Sequence, residues 1–508
     1  MPVAHRLLFS LTALLAATAQ AAVDGQKLYT QGGANPAAAA CVTCHGADGM
    51  GLAAAGFPRL AGLPAAYLSK QLHDLKQGGS REHPVMKGIA DALGDDEIQA
   101  LATTLAAMPA PKPVALSRVA TPRSPGETLA VRGAWERNIP ECVTCHGPAG
   151  SGVGEAFPPL QGQGEMYLSN QLRAWQLGTR RNDPNDLMGH IAKSLSEEEI
   201  RSVSQFFRHP RSGRRPAMNM PSILSLAVAG LLVAPVHAAT APSEPFQPPA
   251  ESSLPDNAFG EMVRQGQALF VETRKNAPHL VGNQLNCVNC HLDQGRRANS
   301  APQWAAYPVY PAFRAKNNKV NTFAERLQGC FQFSMNGKVP AADSPEIKAL
   351  TVYAYWLASQ APTGVSLPGR GYPDVAPPEG GYSIERGAKV YAAQCAICHG
   401  ADGQGQMALG QMVFPPLWGA QSFNWGAGMH RINTAASFIK YNMPLGKPGT
   451  LSDRDAWDVA AFMNSHERPQ DPRLVDGSVE KTRQKFHAND GVNLYGQKVN
   501  GVLLGQGI

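Results

Sequence analysis

Several things are scarce in this 508-residue chain, and each scarcity excludes something. Aromatic residues are only 7%, so a core built mainly of Phe, Tyr and Trp is excluded and other apolar mass must fill it. No long run of Lys or Arg occurs and the net charge is a mild +6, which leaves no electrostatic footprint for nucleic acid. Apolar runs are short or only marginal in length for a membrane span. Cysteine is limited to nine residues, and their arrangement leaves none for structural disulfides.

What is present is spacing. Eight cysteines form four Cys-x-x-Cys-His motifs: Cys41/Cys44/His45, Cys142/Cys145/His146, Cys287/Cys290/His291 and Cys395/Cys398/His399. Each reads as a c-type haem attachment site, with two thiols bonded to the haem vinyl groups and the adjacent His as proximal iron ligand. The cofactor expectation is four covalently bound haem c. Four motifs in a Gly- and Pro-rich chain (51 Gly, 41 Pro) predict four small helical lobes whose haems supply much of the core. The fold class is therefore all-α: four cytochrome c-type lobes arranged as two dihaem units.

Residues 1–22 read as a secretory signal peptide: His5-Arg6 precedes an apolar stretch over 7–17, and Ala19-Gln20-Ala21 offers small residues for cleavage. Export to the periplasm agrees with haem attachment outside the bacterial cytoplasm. Lobe 1 spans 23–112 and lobe 2 126–210, and they repeat one another. Cys41-Val-Thr-Cys-His-Gly is followed by Phe57-Pro58 and Tyr67-Leu68-Ser69, and Cys142-Val-Thr-Cys-His-Gly by Phe157-Pro158 and Tyr167-Leu168-Ser169. A Pro-rich linker, 108–125, separates them. Closing helices are expected through Ile98, Leu101 and Leu105, and after a capping box at Ser196-Glu197-Glu198-Glu199. A second signal-like apolar segment, 216–245, ends near Val236-His237-Ala238; cleavage, a membrane tether and a retained linker are all open, with the last favoured. Lobe 3 covers 250–362 and lobe 4 380–470, joined by a Pro/Gly-rich linker. Their closing helices start at Ser344-Pro345 and at Ser452, and a polar tail runs 471–508.

Each haem iron needs a ligand opposite its His, and Met from a later loop is the common choice. Met86 lies 41 residues after His45, Met188 42 after His146, and Met443 44 after His399. Met429 and Met412 compete with Met443. The third lobe departs from this pattern: 39 residues after His291 stands Cys330, with Met335 as alternative. A thiolate ligand donates electron density and lowers the potential relative to Met. Basic residues surround it in sequence: Arg314, Lys316, Lys319, Arg326 and Lys338 against the single acid Glu325, with Arg296 and Arg297 after the motif. Together they suit a small oxyanion, since Arg offers a planar fork of donors.

The second half, through Asn286-Cys-Val-Asn-Cys-His291, Arg326-Leu-Gln-Gly-Cys330-Phe-Gln-Phe-Ser334-Met-Asn-Gly337, Cys395-Ala-Ile-Cys-His399-Gly and Asn442-Met443-Pro444, resembles the dihaem, tetrathionate-forming thiosulfate dehydrogenases over 250–470. The first half resembles dihaem cytochromes of the c4 type over 23–210, so the chain looks like a fusion of enzyme and electron acceptor. The resemblance implies that Cys330 is both iron ligand and catalytic thiol, that Arg326 and Ser334 bind anions, and that Arg314 or Lys316 assists. Some relatives carry Lys before the Met ligand; here Asn442 stands there, so Met443 alone is assigned. Implied partners are thiosulfate and tetrathionate, and a downstream periplasmic acceptor such as a small cytochrome, a high-potential iron–sulfur protein or a terminal oxidase. A tetrahaem electron carrier, or a cytochrome that loads thiosulfate onto a carrier protein, are the rival readings.

Overall fold

The computed structural model describes residues 23–208, 243–314 and 319–508. Residues 1–22, residues 216–242 of the second signal-like segment and Lys316 lie outside the described residues. The chain is helical, with three two-stranded antiparallel ribbons among the described residues: Ala312–Arg314 with Lys319–Asn321, Gln406–Ala408 with Gln411–Phe414, and Lys498–Val499 with Val502–Leu503. None of them forms a core.

One crossing recurs in every lobe. The opening helices Gly25–Gln31, Pro125–Val131, Ala258–Val271 and Ile384–Gln394 pack on the closing helices Asp95–Ala107, Glu197–Arg208, Pro345–Leu357 and Asp453–Asn464. A glycine sits at each contact. A Cβ added at Gly25, Gly126, Gly266 or Gly387 would overlap the backbone oxygen of Ala100, Ser202, Ala349 or Asp458. Only a residue without Cβ lets the helix axes come this close.

The closing helices start where their caps predict. Ser196 N–H donates to Glu199 (2.8 Å) and Glu199 N–H to Ser196 Oγ (3.2 Å), a reciprocal capping box. The Ser344 and Ser452 hydroxyls accept from Ile347 and Asp455 N–H, with Pro345 in the first turn. Ile98, Leu101 and Leu105 are buried on one face.

The motif positions vary more than a common lobe plan suggests. In lobe 4 Cys395 directly caps the first helix, but in lobes 1, 2 and 3 other residues intervene, so the motif does not close the first helix there.

The first half keeps two separate cores, one per lobe. They meet through a pseudo-symmetric polar seam. Arg180, 5% exposed, donates to Gln171 (2.8 Å), Gln71 (3.2 Å) and Tyr67 (3.3 Å), and Arg81 reaches Gln71 and Tyr167. The second half has one continuous core from Val263 to Leu504. The tail, which its polar composition left unread, is part of it: Leu494, Tyr495 and Leu504 are buried. The halves join through Arg132–Glu251 (3.0 Å), Arg297 to Trp135 O and Asn138 (3.1 and 2.8 Å), and Phe157 against Phe414 (centroids 5.1 Å).

Candidate active site

The four proximal histidines share one arrangement. His45, His146, His291 and His399 place Nδ1 against the backbone oxygens of Pro58 (3.0 Å), Pro158 (2.8 Å), Ala301 (2.7 Å) and Pro415 (2.9 Å). That bond fixes Nδ1 as the protonated nitrogen and leaves Nε2 for iron. Burial pushes all four imidazoles down in pKa, so they stay neutral; His291 reaches about 4, with the Arg326 charge adding to the effect of burial. The motif side chains of lobes 2, 3 and 4 line apolar cavities, so the residues present fit haem c. Four haem c groups are covalently held by the four cysteine pairs.

The four motifs look alike in sequence, but the thiols of lobe 1 do not sit alike. Cys41 packs against the lobe 1 core with Val42, and burial raises its pKa. Cys44 is half-buried, like the other motif cysteines, beside the exposed Thr43. The motif folds as a single helical turn, Val42–His45, with Cys44 N–H donating to Cys41 O at 3.2 Å. That turn buries His45. Cys145, by contrast, is covered by lobe 4 through Ile397 and Cys398. Neither Cys41 nor Cys44 is in a disulfide, so both thiols of the motif remain for haem.

The expected sixth ligands fall as follows. Met188, in the first turn of Leu187–Lys193, shares a cavity with Cys142, Cys145 and His146. Met86 holds the matching place in Pro84–Asp91. Met443, which caps Ile432–Asn442, shares a cavity with Cys395, Cys398 and His399, and Met429 and Met412 line the same space.

Lobe 3 differs. The helix Phe323–Gly329, opened by a Thr322/Glu325 capping box, runs into a π-helical turn at Cys330–Ser334. Such turns concentrate at functional sites because the extra residue re-aims side chains. Here Cys330, Ser334, Arg326 and Arg314 face one cavity of about 200 Å³ together with Cys287, Cys290 and His291. Arg326 donates Nη1–H to Cys330 Sγ at 3.2 Å, and the sulfur's charge holds the guanidinium pKa above its usual value. Met335 also borders the cavity but is 4% exposed and packs in the apolar core. Two fully buried asparagines hold the turn's carbonyls: Asn283 donates to Ser334 O (2.8 Å) and Asn424 to Gln332 O (2.9 Å).

Some of the basic residues grouped with Cys330 by sequence lie elsewhere. Arg297 binds Trp135 O and Asn138 of the first half, and Arg296 binds Pro249 O and lies over the Trp356 ring. Lys319 is paired with Glu325. The linker between lobes 3 and 4, conversely, supplies site residues: Arg370 lines the cavity, and the Tyr372 hydroxyl donates to Cys290 O (3.0 Å). Proline and glycine masked them, because the segment reads as punctuation rather than as a wall.

The lobes also have a spatial order. The lobe 4 cavity is bordered by Cys290 of lobe 3 and Cys145 of lobe 2. The lobe 2 cavity is bordered by Ile397 of lobe 4 and by Tyr67 and Gln71 of lobe 1. The lobe 4 cavity thus adjoins the motifs of both lobes 3 and 2, and the lobe 2 cavity adjoins lobe 1.

Known proteins share this plan. Residues 22–108 match the family described as cytochrome c, and 383–463 the one described as cytochrome C oxidase, cbb3-type, subunit III. A thiosulfate dehydrogenase of Stutzerimonas stutzeri is 70% identical over 263 residues, 52% of this chain and 86% of that protein. The chain belongs to the thiosulfate dehydrogenase family. Its first half is 60% identical over 203 residues to the thiosulfate dehydrogenase electron acceptor of the same species, 40% of this chain and 94% of that protein. The solved thiosulfate dehydrogenase (TsdBA) of Marichromatium purpuratum superposes with a TM-score of 0.82 at 45% identity, covering 95% of this chain and 99% of that one. The chain is a fusion of a c4-type cytochrome with an enzyme of this family, and an oxidoreductase.

Proposed function

We propose that the chain oxidises two thiosulfate anions to tetrathionate in the lobe 3 cavity, releasing two electrons. The observation that carries this reading is the convergence of Cys330, Arg326, Ser334 and Arg314 on the cavity that also holds His291. A carrier needs no thiol with a guanidinium 3.2 Å away. Arg326 and Arg314 neutralise two like-charged anions so that they can approach each other, and the Ser334 hydroxyl donates to an oxyanion. The sulfane sulfur of one thiosulfate bonds to Cys330 Sγ as two electrons leave. The sulfane sulfur of a second attacks it, the Sγ–S bond breaks, and tetrathionate departs with the Cys330 thiolate restored. Haem c at the four motifs would supply the one-electron acceptors, held by His291 with Cys330, His399 with Met443, His146 with Met188 and His45 with Met86.

The electron order 3–4–2–1 is supported by the shared cavity walls and delivers electrons to the first half, whence a small cytochrome, a high-potential iron–sulfur protein or a terminal oxidase removes them. A periplasmic location is supported by the signal-like residues 1–22 and by the chemistry of haem attachment. No helix among the described residues is long and apolar enough to cross a membrane.

The test is turnover of thiosulfate with ferricyanide. Cys330→Gly should form no tetrathionate while all four haems remain attached by pyridine haemochrome count; near-normal turnover would sink the assignment. An electron carrier gives no thiosulfate turnover even in the wild type, and a carrier-loading cytochrome gives no free tetrathionate.

A further inference from the structure

Away from every haem motif, three ligating side chains converge where the tail meets lobe 4. His430 ends the short turn Gly428–His430, and His487 and Asp490 come from the tail. His430 is 0% exposed, His487 2% and Asp490 8%. His487 Nδ1 lies 3.2 Å from His430 Nε2, and His430 Nε2 lies 3.8 Å from Asp490 Oδ2. All three ligand atoms lie within 4.8 Å of one another.

The outer atoms of each group are already committed. His430 Nδ1–H donates to Ala427 O at 2.5 Å. His487 Nε2–H donates to the buried Asp471 at 2.9 Å, and Arg473 holds that carboxylate at 2.6 Å. Asp490 Oδ1 accepts from Arg431 at 3.3 Å. The His487 ring is stacked on Tyr495 with centroids 4.1 Å apart. The two inner nitrogens face each other across 3.2 Å, with Asp490 Oδ2 beside them. A proton engages the two nitrogens; a metal ion engages all three converging donors.

We propose that His430, His487 and Asp490 bind a divalent cation of the zinc class, stapling the tail to lobe 4. Two imidazoles and a carboxylate are borderline ligands of the kind zinc takes, with water in the fourth position. At Zn–N bonds of about 2.0–2.1 Å, nitrogens 3.2 Å apart subtend about 100°, near the tetrahedral value. Asp471 behind His487 and the Ala427 carbonyl behind His430 are the outer partners that orient metal-bound imidazoles. Asp471 and Asp490 offset the charges of Arg473 and Arg431, so the dication enters a locally neutral pocket. The site fixes structure rather than chemistry: Asn424, which holds the Cys330 turn, belongs to the loop that His430 closes.

The experiment uses the full-length tetrahaem protein purified from zinc-supplemented medium. Elemental analysis should give about one zinc per four haem irons after gel filtration. Dialysis against dipicolinate should remove it and lower the melting temperature by several degrees, and added zinc chloride should restore both. His487→Gln and Asp490→Asn should each bind less than a fifth of an equivalent. Less than a fifth in the wild type, before and after added zinc chloride, with an unmoved melting temperature, would overturn the proposal and leave the nitrogens sharing a proton. The wild-type measurement stands even if a variant fails to fold.

Discussion

Cys330 and Arg326 carry different parts of the lobe 3 chemistry, and substitution separates them. Arg326 reaches Cys330 Sγ with one N–H at 3.2 Å and also meets the Tyr310 hydroxyl, leaving its other N–H groups for an oxyanion. Arg326→Gln should therefore lower kcat/KM for thiosulfate on the order of 10²-fold, the typical cost of removing one donor from a developing anion. Arg326→Lys should recover only part, because a point charge cannot match the fork. Steady-state assays over a range of thiosulfate concentrations check both; an unchanged kcat/KM in Arg326→Gln would remove the residue from the site. At this scale the sequence was informative where function forces an odd residue into a slot, as with Cys330. It was silent on Arg370 and Tyr372, whose roles come from a linker folding back over lobe 3. It also could not separate Cys44 from Cys145, because what covers the second of them is a lobe more than 200 residues away.

At the scale of elements, the four glycine crossings and the closing helices decide stability. Gly387→Ala forces a methyl against Asp458 O and should cost about 1–3 kcal/mol, as overpacking does. Gly88→Ala, where nothing lies within 4 Å of an added Cβ, should instead be neutral or stabilising by up to about 1 kcal/mol through helix propensity. Paired thermal melts distinguish the two; equal effects would mean that the crossings tolerate separation. The closing helix of lobe 2 carries a pH dependence. Glu199 is held down to about 2 by its hydrogen bond to Arg137 at 2.6 Å. A depressed carboxyl pKa contributes stability above the usual carboxylate range, and that contribution is lost as pH falls toward 2. Glu199→Gln should therefore melt below wild type at pH 7, and the gap should close in acid; a constant gap would mean the carboxylate's charge contributes nothing. Caps made these helices legible, since Ser196, Ser344 and Ser452 announce their own starts. The crossings were not legible, because a glycine's neighbour at a close approach lies more than 70 residues away in every lobe.

The whole molecule is organised by adjacency that no local pattern encodes. The repeat in the first half, the motif count and the fusion were readable because each is a property of one stretch of chain. The order 3–4–2–1, the Phe157–Phe414 contact and the burial of the tail arise from surfaces brought together by folding. The order makes the fusion consequential. Cys145 and Cys398 border the same small apolar cluster as Phe157 and Phe414, so electrons cross between the halves where the halves pack. Tethering keeps the acceptor at a high effective concentration. Stopped-flow mixing of the full chain with thiosulfate should therefore reduce the first-half haems at a rate independent of protein concentration. Halves produced separately should show a rate that rises with concentration. Phe414→Asp, which buries a charge in that contact and beside His399, should slow the transfer in the fused chain while leaving reduction of the lobe 3 haem unchanged. A rate that stays the same in Phe414→Asp would move the crossing point away from this contact and undo the order 3–4–2–1.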